Sequence, residues 1–172
     1  YLSVTGSSGA GKSTLLYLIG GLIQPDSGSI LFNGSNIYDQ PRAAKDLYRK
    51  KKIGFVFQQF HLMPYLSVVE NIRLACYEKI HLENINFYLK KCSLTELKDK
   101  YPSELSVGEK QRIAFIRAII SNPEMLLADE PTGNLDPENS EILLALIDEF
   151  HRNGGAVILV SHNPDSSKFS DK

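Results

Sequence analysis

A chain of 172 residues, 42% hydrophobic and 23% charged, has room for one sizeable core and the composition of an ordinary globular domain. A net charge of −1 excludes nucleic-acid binding driven by bulk charge, so no nucleic-acid partner is expected. No apolar run approaches the roughly 20 residues needed to span a bilayer, so a membrane role would come through partners; Cys76 and Cys92 match no metal or redox spacing and read as reduced thiols, compatible with a cytosolic compartment.

The chain opens inside an apolar strand, Tyr1-Leu2-Ser3-Val4-Thr5. It closes on Ser166-Ser167-Lys168-Phe169-Ser170-Asp171-Lys172 shortly after another strand. Both ends read as cut, and a fragment of a larger domain or polypeptide is expected. Gly6-Ser7-Ser8-Gly9-Ala10-Gly11-Lys12-Ser13-Thr14 follows the first strand and fits G-x-x-x-x-G-K-[ST], a phosphate-binding loop. Glycines let successive N–H groups turn into one concavity, and the helix that follows adds its free N–H groups and positive dipole end. Lys12 supplies a mobile charge for the β- and γ-phosphates, and the Ser13 hydroxyl is an oxygen ligand for Mg²⁺. A glycine-rich turn with a stray lysine is the plain alternative; the strand before the loop and the helix after it weigh against that.

Residues 12–22 read as a helix, with Leu15, Leu16, Leu18, Ile19 and Leu22 on its apolar positions. Residues 24–28 form a turn, 29–32 a short strand, and Asn33-Gly34 a tight turn. Residues 42–51 form a charged helix whose Arg49-Lys50-Lys51-Lys52 run reads as a solvated helix end rather than a basic binding patch. Residues 53–57 are a buried strand. The stretch 60–105 carries no strand signal: helices are expected over 67–77 (capped by Ser67), 83–92 and 94–99. A helix over 106–121, a strand over 124–128, a helix over 137–152 and a strand over 155–160 complete the chain. Strands alternating with helices at both ends argue a parallel α/β core, into which the middle stretch is inserted as a helical subdomain.

Ligands collect at the carboxyl ends of strands in such a sheet. Four expected strand ends carry reactive groups: the phosphate loop, Gln58, the pair Asp129-Glu130, and His162. Asp129 suits a Mg²⁺ ligand acting through water, and Glu130 a general base for an attacking water. Beside a phosphate loop that reading outweighs a helix-capping acid pair. His162 is placed to reach a γ-phosphate, although a lone histidine after a strand is usually structural. Gln58 is ambiguous alone, as the neighbouring Gln59 shows.

Leu105-Ser106-Val107-Gly108-Glu109-Lys110-Gln111-Arg112 resembles the signature motif of ATP-binding-cassette (ABC) ATPases. The resemblance runs in order along nearly the whole chain. Residues 6–14 resemble Walker A, Gln58 the Q-loop glutamine, residues 125–130 Walker B, Asn134-Leu135-Asp136 the D-loop, and His162 the switch histidine. It implies an α/β fold with a P-loop NTPase core (residues 1–59 and 122–172) and a helical subdomain (about 60–121). It further implies an ATPase that uses ATP and Mg²⁺, with Gln58 serving both catalysis and the metal. Two such domains, in a homodimer, would pack head to tail around two ATP molecules. Ser106 and Gly108 of one would meet the γ-phosphate held by the other, and Asp136 would link the sites.

Transmembrane permease subunits are the implied further partners, docking near Gln58 and placing the protein peripherally on the inner face of a bacterial cell membrane. Val107 departs from the commoner glycine, and the residue that stacks on adenine in this family lies upstream of the first strand. Residues 128–136, Leu18-Ile19-Gly20-Gly21-Leu22 and Ser161-His162-Asn163-Pro164-Asp165 resemble a branch of lipoprotein-releasing, macrolide- or peptide-exporting and cell-division ATPases. Export or extraction of a lipoprotein, peptide or drug is implied; mechanical control of an extracytoplasmic partner is the alternative. A chromosome-structure ATPase would need a coiled coil between Lys12 and Leu105, where no heptads occur.

Overall fold

The structure, a computed structural model, describes residues 1–162. Asn163, Pro164 and Asp165 of the branch resemblance lie outside the described residues. The elements in chain order are β1 (Leu2–Thr5), α1 (Lys12–Ile19), β2 (Leu31–Phe32), β3 (Ser35–Asn36), α2 (Arg42–Lys52), β4 (Ile53–Val56), α3 (Val68–Arg73), α4 (Lys79–Glu83), α5 (Ile85–Lys91), α6 (Val107–Ile119), β5 (Met125–Asp129), α7 (Pro137–Arg152) and β6 (Ala156–Ser161). The main sheet is parallel throughout, in the order β1-β6-β5-β4. A separate antiparallel hairpin joins β2 to β3 through Asn33 and Gly34, both at positive φ (49° and 80°), as a tight two-residue hairpin turn requires.

The strands β4, β5 and β6 are apolar on both faces because both faces are covered. Alternate residues of β5 point opposite ways: Leu127 joins Leu16 of α1, while Leu126 and Ala128 join Phe115 of α6 and Leu143 and Ile147 of α7. β6 alternates in the same way, with Val160 toward α1 and Val157 and Leu159 toward α7. A third cluster lies among the helices, where Val68 and Ile72 of α3 and Ile85 and Leu89 of α5 pack on Ile113 and Ile116 of α6. Each fully buried Leu or Ile in these clusters contributes about 1.5–3 kcal/mol. Helix α6 therefore has two buried faces, one on the sheet and one on the helices, and supplies buried residues to both packings.

Several elements are shorter than the sequence suggests. α1 stops at Ile19, short of Leu22, because Gly21 turns left-handed at φ 66°; Gly21 N–H then bonds Leu18 O and Leu22 N–H reaches back to Tyr17 O, a Schellman closure. The strand expected over 29–32 pairs only at Leu31 and Phe32. The helix expected over 67–77 ends at Arg73, though Ser67 and Glu70 form the expected cap as a reciprocal box. The segment 83–92 is not one helix: α4 closes at Asn84 and α5 starts beyond it. No described helix is long and apolar enough to cross a membrane. The basic run at the end of α2 is a surface feature: Arg49 pairs with Asp46 and Lys52 with Glu124, and Lys50 and Lys51 lie over the Tyr77 ring.

Candidate functional site

The parallel register lines up four carboxyl ends. Thr5 pairs with Ser161, Asp129 with Val160, and Val56 with Ala128, so the phosphate loop, His162, Glu130 and Gln58 leave the sheet side by side. Between them lies a cleft of about 620 Å³, lined by Ser8, Gly9, Gly11, Lys12, Ser13, Thr14, Gln58, Glu130 and His162. Gly6, Ser7 and Ala10 shape the loop from behind: Ala10 N–H bonds Ser7 O (3.3 Å), and the Lys12 ammonium donates to Gly6 O (2.8 Å) and Ser7 O (3.0 Å). Gly9 and Gly11 take φ values of 80° and 87°, a region other residues enter at a steric cost. The first-turn N–H groups of α1, which a helix cannot satisfy internally, point toward this end.

At the foot of the loop the Ser13 hydroxyl donates to Asp129 Oδ1 (2.8 Å). The Tyr17 hydroxyl, one turn further along α1, donates to Asp129 Oδ2 (3.1 Å). Burial, and then the bond and charge of Asp129, push the Tyr17 phenol above its ordinary pKa, so it stays a donor. Tyr17 was not singled out as a site residue by the sequence; its signal is the i, i+4 spacing from Ser13, which puts both on one helix face. A serine hydroxyl and a carboxylate at one point are hard oxygen donors of the kind Mg²⁺ takes. Among the described residues no group of three or more His, Cys, Asp or Glu is arranged to hold a metal, so a cation here would depend on phosphate and water oxygens for its remaining ligands.

Glu130 takes φ 46°, a strained value for a residue with a side chain. Its N–H is fixed by Val160 O (2.9 Å) and its carbonyl by the Gly133 N–H (3.1 Å). Its carboxylate Oε2 lies 2.9 Å from His162 Nδ1 and accepts the His162 backbone N–H at 3.3 Å. Gln58 sits against the turn after Glu130, where a Cβ on Gly133 would stand 3.3 Å from Gln58 Nε2. Asn134 Nδ2 donates to Gln58 O (3.3 Å).

Ser106, Gly108 and Asp136 do not line this cleft. They form a second cluster where α6 and α7 begin. Ser106 and Glu109 cap α6 reciprocally, with Ser106 N–H to Glu109 Oε2 at 2.7 Å; that backbone bond holds the Glu109 carboxyl below its usual range. Asp136 caps α7, accepting from Asn139 N–H (2.8 Å) and Asn139 Nδ2 (2.7 Å), and the first of these lowers its pKa most. Arg112 Nη1 donates to Asn139 Oδ1 (2.6 Å), so Asn139 bridges the two helix starts. The fit explains Gly108 locally, since a Cβ there would stand 2.2 Å from Asn139 Oδ1. Val107 is exposed at the first position of α6, and its added bulk meets solvent.

The family described as ABC transporter matches residues 1–133. Over 180 residues the chain is 39% identical to the macrolide export ATP-binding/permease protein MacB of Chlorobium luteolum, covering 100% of this chain and 26% of that protein. It is 43% identical over 166 residues to the lipoprotein-releasing system ATP-binding protein LolD of Buchnera aphidicola, covering 93% of this chain and 72% of that one. The fold matches a dimeric post-hydrolysis structure of the ATP-binding cassette MJ0796 bound to ADP and Pi, with a TM-score of 0.89 and 32% identity over 99% of this chain and 78% of the other. The chain thus spans about a quarter of the exporter and close to three quarters of the other two.

Proposed function

Because the chain belongs to the ABC transporter ATP-binding family, we propose that its cleft hydrolyses ATP by a base mechanism and that closure of a two-chain dimer drives a membrane partner. The arrangement carrying this reading is the Glu130 carboxylate set against His162 Nδ1 at 2.9 Å, across the cleft from the phosphate loop. The loop N–H groups and Lys12 bind the phosphates. Glu130 accepts a proton from a water that attacks the γ-phosphorus as the bond to ADP breaks. His162 orients that carboxylate and contacts the γ-phosphate, and Gln58 orients the water and would offer the metal a further oxygen ligand. Mg²⁺, held by Ser13 and through the Asp129 carboxylate with Gln58 nearby, would neutralise charge on the β- and γ-phosphates.

Ser106 and Gly108 lie apart from the cleft of their own chain, which fits a role at the cleft of a second copy. There the start of α6 would present its N–H groups to the γ-phosphate, with Asp136 beside it at the interface. Residues 60–121 serve as the helical subdomain, and the groove beside Gln58 receives the transmembrane permease. That partner sets the location, on the cytoplasmic face of the cell membrane. The names of the relatives, macrolide export and lipoprotein release, support export or extraction of a substrate such as a lipoprotein, peptide or drug; mechanical control of an extracytoplasmic protein is the alternative, and the residues that resemble this branch are common to both. Glu130→Gln in the full-length protein tests the base: it should bind ATP, lose hydrolysis and accumulate as an ATP-bound dimer on gel filtration. Hydrolysis at the wild-type rate would sink the assignment.

A further inference from the structure

Gln111 is almost fully buried, at 1% exposure, on the α6 helix that begins just after Ser106. Its Nε2 donates to Pro131 O at 2.8 Å and to Phe57 O at 3.3 Å. Pro131 follows Glu130 and Phe57 precedes Gln58, so one amide group grips the backbone beside both residues. Its Oε1 is buried without a hydrogen-bond partner. Turning the amide over would aim that oxygen at two carbonyl oxygens, so the side chain is held for its two N–H groups. Pro131 has no N–H of its own, which leaves its carbonyl as its backbone hydrogen-bonding handle.

The grip acts where the backbone needs it. Glu130 sits at φ 46°, and such a conformation persists only where the surroundings over-determine it. Val160 O and Gly133 N–H hold the Glu130 backbone, and Gln111 holds the carbonyl of the next residue. The same helix takes the far end of the Gln58 loop: Arg117 donates to Phe60 O at 2.8 Å and to His61 O at 2.6 Å. A glutamine on a helix face packed against a sheet is otherwise costly to bury.

We propose that Gln111 is a positioning residue for hydrolysis, setting the separation of Gln58 and Glu130 and tying both to the helix headed by Ser106. The proposal rests on the reading of Glu130 as base. It separates aiming from binding, since Gln111 touches neither the phosphate loop nor α1 in the contacts described. Loss of its donors should therefore slow the chemical step and leave nucleotide affinity in place.

The test compares Gln111→Met, which keeps the volume and removes the donors, with Glu130→Gln and wild type in the full-length protein. A fluorescent trinitrophenyl-ATP titration gives affinity and the fraction of binding-competent molecules, and kcat and KM are measured per competent molecule. The expected result for Gln111→Met is a kcat at least tenfold lower with affinity within threefold of wild type. Gln111→Glu, whose ionised form cannot donate, should lose at least as much. A Gln111→Met kcat within twofold of wild type, while Glu130→Gln loses hydrolysis, would overturn the positioning role alone. A parallel fall of affinity and kcat would overturn it too, because the effect would then be a general loosening. Wild-type hydrolysis by Glu130→Gln would instead overturn the base assignment beneath it.

Discussion

His162 holds Glu130 twice: its Nδ1 lies 2.9 Å from Glu130 Oε2, and its backbone N–H donates to the same oxygen at 3.3 Å. The carboxylate extends from a strained φ, so without the imidazole it keeps only one of these two restraints. His162→Ala is expected to lower kcat by about 10²–10³-fold, the span of one lost transition-state contact. His162 is exposed, so the melting temperature should change little. Steady-state hydrolysis beside a thermal melt checks this, and a kcat within threefold of wild type would remove His162 from the mechanism.

The Lys12 ammonium folds back onto Gly6 O and Ser7 O, two acceptors on the exposed side of the loop. Exposed contacts of this kind add little to stability, whereas a bond between an ammonium and phosphate adds about 1.5–3 kcal/mol. Lys12→Ala should therefore weaken ATP binding by roughly 10- to 150-fold and leave the unfolding midpoint nearly unmoved. Equilibrium nucleotide titration reads the first effect and urea denaturation the second.

Much of this site is legible in the sequence because its groups follow strand ends. Gln58, Glu130 and His162 each come directly after an apolar run, and parallel pairing then sets them side by side. What the sequence conceals is contact between residues far apart in the chain. Tyr17 lies among the apolar positions of α1 without a role of its own in the sequence, yet its hydroxyl meets Asp129. Gln111 appears in the sequence only as part of the stretch that resembles the signature motif, yet it is buried between two loops. Gly108 reads as a phosphate contact, and its local reason, the Asn139 side chain, comes from α7. Helix ends were lost for a local reason: the Schellman turn at Gly21 closes α1 while apolar residues continue past it to Leu22.

Ser106 is exposed at the start of α6, away from the cleft of its own chain. Ser106→Arg should leave ATP binding by the single chain intact, and should block ATP-driven dimerisation by placing a long cation where a second chain must close. Its loss as a cap costs about 1 kcal/mol, a modest shift in stability. Light scattering of Ser106→Arg in a Glu130→Gln background reads the effect; a dimer of undiminished yield would mean that the cleft is not shared.

Asn71 is completely buried and organises the loop that leads from Gln58 into α3. It accepts the Met63 N–H at 2.7 Å and donates to Met63 O, Leu66 O and Ser67 O at 3.1, 2.9 and 3.1 Å. Asn71→Leu removes the partner of the Met63 N–H and of Leu66 O, while Met63 O keeps the Leu66 N–H and Ser67 O keeps the backbone N–H of residue 71, and a loss of about 2–4 kcal/mol is expected. Urea unfolding with an unchanged m-value would register it.

Cys92 lies in the helical cluster at 4% exposure, and burial pushes its thiol up to about 11. The unfolded thiol titrates near about 8.5. Below that pH both states are protonated and the buried thiol's contribution is complete. As the pH rises toward 11 the unfolded chain releases its proton first, so stability falls, by at most about 1.4 kcal/mol per pH unit. Cys92→Ala removes this component, although the loss of packing makes the variant less stable at every pH. Urea midpoints taken between pH 8 and 11 should fall less steeply for Cys92→Ala than for wild type, with the remaining slope shared by tyrosines such as Tyr48, whose phenol burial pushes to about 12. Equal slopes would show that the Cys92 thiol ionises in the folded protein as readily as in the unfolded chain.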